Sequence, residues 1–311
     1  MTATPAPTPS LPHRIAVQLW RHKRWRLALL LGLPSLWLVG VYGGSLVSLL
    51  VQSFFRLDSF AGTVDRTPTL ATWRDLFTSA NMSVAARTIA MATTVTLVSI
   101  AVAFPLAYFM AFRASRRSKT LLVLAVLIPL WSSYLVRVYS WKLLLAADGT
   151  INWFVDRLGL GAALDALLAA PVVGGPSLSV SYLGQFVVFV YIWLPYMVLP
   201  IQASLERVPR TYLEASADLG ARPGTTFRSV VWPLAIPGVA AGSIFTFSLT
   251  LGDYIIPTVI GDSSPFVGLA IYSYQGVAGN LPLAAAFAFV PIAVMALYLT
   301  AARRLGAFEA L

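Results

Sequence analysis

The chain has 311 residues, of which 58% are hydrophobic and only 11% charged. An average soluble domain is nearer ~45–50% apolar and ~25% charged. A mean hydropathy of +0.77 agrees, and the composition is that of an integral membrane protein. For the chain as a whole, soluble enzymes, disordered tails and nucleic-acid modules are poor readings despite a net charge of +10. With no Cys there are no disulfides, thiolate nucleophiles, Cys-bound zinc or iron–sulfur clusters. The two histidines, His13 and His22, sit near the N-terminus, which argues against a buried His-ligated metal and against His acid–base chemistry in the membrane.

Residues 1–26 form the first expected unit. Pro5, Pro7, Pro9 and Pro12 mark a disordered tail. Trp20 and Trp25 among basic residues suit a segment lying along the inner leaflet. The second unit, 27–311, reads as a single transmembrane domain. A span needs about 20 mostly apolar residues, and six stretches qualify: 27–55, 84–112, 121–146, 181–205, 230–251 and 281–302. The run from Leu27 is too long for the apolar part of a signal peptide, so the first span is expected to be uncleaved. Prolines at 34, 105, 129, 195, 200, 237 and 291 are expected to kink these helices without ending them. The runs Ala240-Ala241-Gly242-Ser243 and Ala284-Ala285-Ala286 permit close helix approach.

The basic residues orient the spans. With the N-terminus inside, fifteen of the 22 Lys and Arg fall in cytoplasmic segments, among them Arg113, Arg116, Arg117, Lys119, Arg207, Arg210, Arg222 and Arg228. Eight of the 12 acids fall outside. The expectation is therefore an all-α membrane protein with six transmembrane helices, N-in and C-in. Two outer loops are long and each carries a short amphipathic helix candidate, at Trp73–Phe77 and at Ile151–Leu158.

Catalytic chemistry finds no support. A Gly-Asp string at Gly252-Asp253 lacks a partner carboxylate at similar depth, and no His lies in any span. No lysine follows a glycine, so the phosphate-binding Gly-Lys-Ser/Thr signature is missing. If ATP drives this protein, another chain binds it.

The inner loop at 206–229 is the most informative stretch. Pro209 suits a first helical turn, and Gly220 stands where a left-handed residue ends a helix. Leu205, Val208, Tyr212, Ala215 and Leu219 form an apolar stripe, and Arg210, Glu214 and Asp218 a charged row. Periodicity alone leaves two readings open: a helix solvated on the inner leaflet, or one that docks in a groove of a cytosolic partner.

The string Glu214-Ala215-Ser216-x3-Gly220-x9-Val230-x-Trp232-Pro233 resembles the EAA loop of ABC importer permeases. Ser216 stands for Ala, Val230 for Ile and Trp232 for Leu. Residues 128–141, 148–152, 191–201 and 251–257 are similar to spermidine/putrescine-type permeases, and permeases for ferric iron and aminophosphonates share much of them. The resemblance implies a type I importer fold in the bacterial inner membrane. It also implies ATP and Mg bound by two cytosolic partner subunits with no cofactor in this chain, a second and different permease chain, and a periplasmic binding protein. It further implies ATPase coupling through Tyr212, Leu213, Glu214, Ala215, Ser216, Asp218, Leu219 and Gly220.

Candidate pathway residues are Trp131, Tyr134, Arg137, Trp141, Tyr191, Tyr196 and Asp253. Aromatic faces bind organic cations at ~0.5–2 kcal/mol each, although such stripes also serve packing and interface belts. Arg137 lies midway in the third stretch, where a charge must face the bundle or water. A pore-facing Arg would repel a polyamine, so a structural salt bridge or carbonyl clamp is favoured over a pathway role. Asp253, ending the fifth span outside, is either solvated or the carboxylate that meets a cation. An ion-coupled secondary transporter or a membrane enzyme are the competing classes. The first lacks membrane carboxylates and broken repeat halves, and the second lacks a nucleophile–base set.

Overall fold

The computed structural model describes residues 20, 23–58, 60–171, 173–262 and 264–304. The expected N-terminal tail and most of the basic segment within 1–26 lie outside them. Among the described residues, five helices are long and apolar enough to cross a membrane: α1 (Leu27–Gln52), α3 (Ser79–Arg113), α8 (Tyr182–Glu206), α10 (Pro223–Gly252) and α13 (Leu281–Arg303). Two further helices, α4 (Arg116–Trp131) and α5 (Tyr134–Leu144), bent by 98°, are apolar enough when taken together, and counted as one broken span they make six.

That bend corrects the reading of 121–146 as one continuous span and of Pro129 as a mere kink. Pro129 has no amide to give the carbonyl four residues back. Ser132 and Ser133 are extended, and Ser132 Oγ donates to the Pro129 carbonyl at 2.8 Å. The Ser132 amide donates to the same carbonyl at 3.3 Å, so side chain and backbone of one residue together close the end of α4 where the chain breaks. The other six prolines named above lie inside helices, as expected.

The connections hold short elements. A hairpin of β1 (Arg56–Asp58) and β2 (Thr63–Asp65) pairs Arg56 with Asp65 and adds a little strand to a chain expected to be all helix. Asp58 Oδ1 accepts the Phe60 and Ala61 amides and turns the hairpin. The Thr67 amide and hydroxyl hold the Asp65 carboxyl below its usual range. Helix α2 (Ala71–Leu76) and helices α6 (Thr150–Arg157) and α7 (Gly161–Leu168) occupy the long outer loops. Helices α2 and α6 fall on the two amphipathic candidates. Helix α9 (Arg210–Asp218) lies in the inner loop, and α11 (Ile255–Val259) and α12 (Val267–Gln275) follow α10. The last two carried no signal among the six apolar runs.

Helix α8 is the centre of the bundle, packed against α3 and α10. Lipid tails are as apolar as Leu, so association rests on close van der Waals contact and interhelical hydrogen bonds. Gly242 supplies that contact: a Cβ there would stand 2.8 Å from Met197 Sδ. The hydroxyls of Thr88, Thr96 and Thr250 donate to carbonyls four residues back. One cluster, with Val138, Phe189, Ile192 and Ile256, fills the outer half. A second, with Phe104, Met197, Ile201 and Val231, fills the inner half. By contrast, α1 buries none of its apolar window.

Candidate functional site

Two regions carry the residues singled out from sequence. The first is built where two helices end together. Helix α10 stops at Gly252, and Asp253 turns the chain into α11 by accepting the Ile255 and Ile256 amides on Oδ1 at 2.8 and 3.2 Å. Its other oxygen accepts the Tyr134 hydroxyl. Tyr134 is the first residue of α5, directly beyond the bend. Asp253 is therefore not freely solvated; it ties the end of α10 to the broken third span.

Aromatic rings surround this tie. Tyr134 stacks on Trp193 at 5.8 Å and 19°, and Trp193 meets Tyr196 at 5.8 Å and 61°. Trp141 packs on Tyr191 at 4.9 Å and 58°. Tyr134, Tyr196 and Asp253 thus form one site centred on Trp193. The Trp141–Tyr191 pair joins the same two helices, α5 and α8.

Trp131 does not join them. It ends α4 on the far side of the bend and is 79% exposed. The spacing from Trp131 to Tyr134 implies a shared helical face only if the helix is unbroken.

Arg137 lies one turn along α5, its guanidinium carbon 5.9 Å from the Tyr134 ring centre. The favoured salt bridge or carbonyl clamp is not what holds it. Its Nε and Nη1 are buried without a hydrogen-bond partner, and it forms no ion pair among the described residues. An unsatisfied buried donor costs ~1–3 kcal/mol, and more when charged.

Gln185 went unnoticed in the sequence. It is fully buried, and its amide nitrogen donates to the Ile260 carbonyl at 2.6 Å. Gly261 follows with a φ of 106°, and a Cβ there would fall inside the Gln185 side chain. The available signal was one amide within the otherwise apolar start of the fourth span.

The second region is the inner loop. Helix α9 begins after Pro209, which caps it from an extended conformation one residue earlier than expected. The helix ends as foreseen: Gly220 has a φ of 75°. The Ala221 amide reaches the Ser216 carbonyl at 3.0 Å and the Gly220 amide reaches Ala217 at 2.8 Å, a Schellman closure.

The expected apolar stripe splits. Leu205 belongs to α8, and both it and Val208 are buried, whereas Tyr212 and Leu219 are 53% and 88% exposed. Leu213, outside that stripe, is the residue that meets the inner core. Glu214, Ala215 and Asp218 are also exposed, so most of α9 stands open. Ser216 Oγ lies 2.8 Å from Thr226 Oγ1 and braces α9 against the start of α10. Trp232, bulkier than the Leu of the resembled motif, is absorbed by Phe104 and Phe227 at 5.4 and 6.4 Å.

A helical bundle with a broken third crossing and an exposed loop helix before the fifth is the membrane subunit of an ABC importer. The chain belongs to the family of binding-protein-dependent transport system inner membrane components, whose sequence pattern matches residues 103–307. It is 53% identical over 292 residues to the inner membrane ABC transporter permease protein YdcU of Escherichia coli, covering 94% of this chain and 93% of that one. It is 28% identical over 235 residues to the spermidine/putrescine transport system permease protein PotB of the same species, covering 76% and 77%. A solved bacterial alginate ABC transporter in complex with its alginate-bound periplasmic protein shares the fold, with a TM-score of 0.73 at 12% identity over 96% of this chain and 98% of that one. The protein is thus a multi-pass inner-membrane permease of the type I importer fold.

Proposed function

We propose that this permease carries an organic cation of the polyamine class. The observation that carries the reading is the Asp253 carboxylate held beside the Tyr134, Trp193 and Tyr196 rings at the break of the third span. A carboxylate with π faces suits an alkylammonium group. The spermidine/putrescine permeases among its relatives support the same class. In this reading a second, different permease chain completes the pathway and a periplasmic binding protein delivers the solute. Two cytosolic subunits bind ATP and Mg, this chain catalyses nothing, and the exposed face of α9 from Tyr212 to Gly220 docks on one of those subunits.

One observation favours a second reading. The two unsatisfied donors of Arg137 suit a solute that carries an acceptor, such as an aminophosphonate or an amino acid derivative. Uptake by the complete importer in proteoliposomes separates the two. Putrescine or spermidine is taken up under the first reading, and Asp253→Asn raises its KM up to about fivefold, the range of one partly hydrated charge pair. Uptake of anionic solutes alone, or an unchanged KM in Asp253→Asn, rejects it.

A further inference from the structure

The Asp253 carboxylate is not vacant. Two backbone amides hold one oxygen and the Tyr134 hydroxyl holds the other. Of these three donors only the hydroxyl can leave without unwinding α11, because the amides belong to its first turn. We infer that the Tyr134 hydroxyl is a built-in competitor for the solute: an alkylammonium group binds Asp253 by displacing it, and the displacement frees the hinge of the third span. The inference rests on the organic-cation reading and deepens it.

The exchange is chemically ordered. A phenol O–H on a carboxylate is a bond with one charged partner. An ammonium on the same oxygen charges both, which adds Coulomb attraction that the neutral phenol lacks. The displaced phenol keeps its ring on Trp193, at 5.8 Å and 19°, so the aromatic wall survives the loss of the hydrogen bond.

Few polar contacts fix the bend itself. Ser133, the cap of α5, makes no side-chain capping bond. Ser132 reaches back only to Pro129 on α4. Beyond the bend, α5 is held by apolar packing through Tyr134 on Trp193, Val138 and Trp141 on Tyr191, and the Tyr134 hydroxyl on Asp253 is the polar grip nearest the break. Arg137, over the same ring at 5.9 Å, opposes a cation on the aromatic wall, and the Asp253 carboxylate supplies the offsetting negative charge at the oxygen that Tyr134 guards.

Two measurements on the complete importer in proteoliposomes test this. For uptake, Tyr134→Phe keeps the ring and removes the competitor, and the half-saturating putrescine concentration should fall about fivefold. Asp253→Asn should raise it, and the double variant should match Asp253→Asn alone. A shift in maximal rate without a shift in half-saturation makes Tyr134 structural and overturns the inference, as does no change at all.

For the hinge, Ser132→Cys is labelled by a thiol reagent, since the chain has no native Cys. Putrescine transport should speed labelling, and Tyr134→Phe should speed it without putrescine. Equal labelling in all states overturns the hinge. A wild-type importer that takes up neither putrescine nor spermidine overturns the cation reading itself, a result distinct from an unshifted Tyr134→Phe.

Discussion

Lys119 and Glu206, 87 residues apart in the chain, meet with Nζ 2.9 Å from Oε1, and Gln202 donates to the same carboxylate oxygen at 2.6 Å. The pair joins the first turn of α4 to the end of α8, so the two segments rich in Arg and Lys lie at one end of the bundle. About a third of each side chain is exposed, so the pair contributes only ~0.2–1 kcal/mol. What it fixes is sidedness. Cysteine placed at Ser118, beside Lys119, should react with an impermeant thiol reagent from the cytoplasmic side only. Labelling from the periplasm of intact spheroplasts would invert the topology.

The exposed face of α9 leads to a second expectation. Glu214→Lys should abolish uptake with normal membrane insertion, because it reverses a charge on the face open to a partner. Gly220→Pro should do the same by another route. A proline ring fixes φ near −65°, whereas the residue sits at 75°, so the helix loses its closure. Blue-native gels and uptake assays check both. Normal uptake in both variants rejects the coupling role.

Ser216 and Thr226 give a third. Their hydroxyls, 2.8 Å apart, link the loop helix to the helix that follows it. Ser216→Ala and Thr226→Val should each raise the ATP hydrolysed per solute carried. Together they should do no more than either alone, since one hydrogen bond of ~0.5–1.5 kcal/mol is lost in every case. Additive effects in this double-mutant cycle would show that the two residues act separately.

Gly261→Ala tests the outer brace. The new methyl meets the Gln185 amide, and the left-handed φ of 106° adds strain of ~1–3 kcal/mol. Melting followed by intrinsic fluorescence in detergent should show a clear fall in Tm. Gln185→Ala combined with Gly261→Ala should recover part of it, because the clash is then gone. A single variant as stable as wild type would remove Gln185 from the structural account.

Much of this architecture was legible because apolar length and loop charge obey simple rules. The crossings at Tyr182–Glu206 and Leu281–Arg303 follow from hydropathy alone, and Gly220 announced its own conformation. The break after Pro129 was not legible. Six other prolines sit quietly inside helices, and only the serine pair after Pro129, which lets the chain run extended, marks the difference. The site suffered accordingly: Trp131 and Tyr134 share a face only on a straight helix. Helices α11 and α12, of five and nine residues, escaped because they are too short to register as apolar spans. The hydrogen bond from Tyr134 to Asp253 joins residues 119 apart in sequence, a pairing that no local pattern encodes.

Helix α3 has 35 residues and α10 has 30, about 52 and 45 Å at 1.5 Å per residue, against ~30 Å of hydrocarbon. The surplus at their inner ends holds one π turn each, at Phe109–Arg113 and Phe227–Val231. It is bound together by Phe104, Tyr108, Phe227 and Trp232. A span that ended at the bilayer surface would have to tilt or stretch the lipid around it whenever thickness changed. Here the rings and the Ser216–Thr226 contact, not the headgroups, set where α9 stands relative to the bundle.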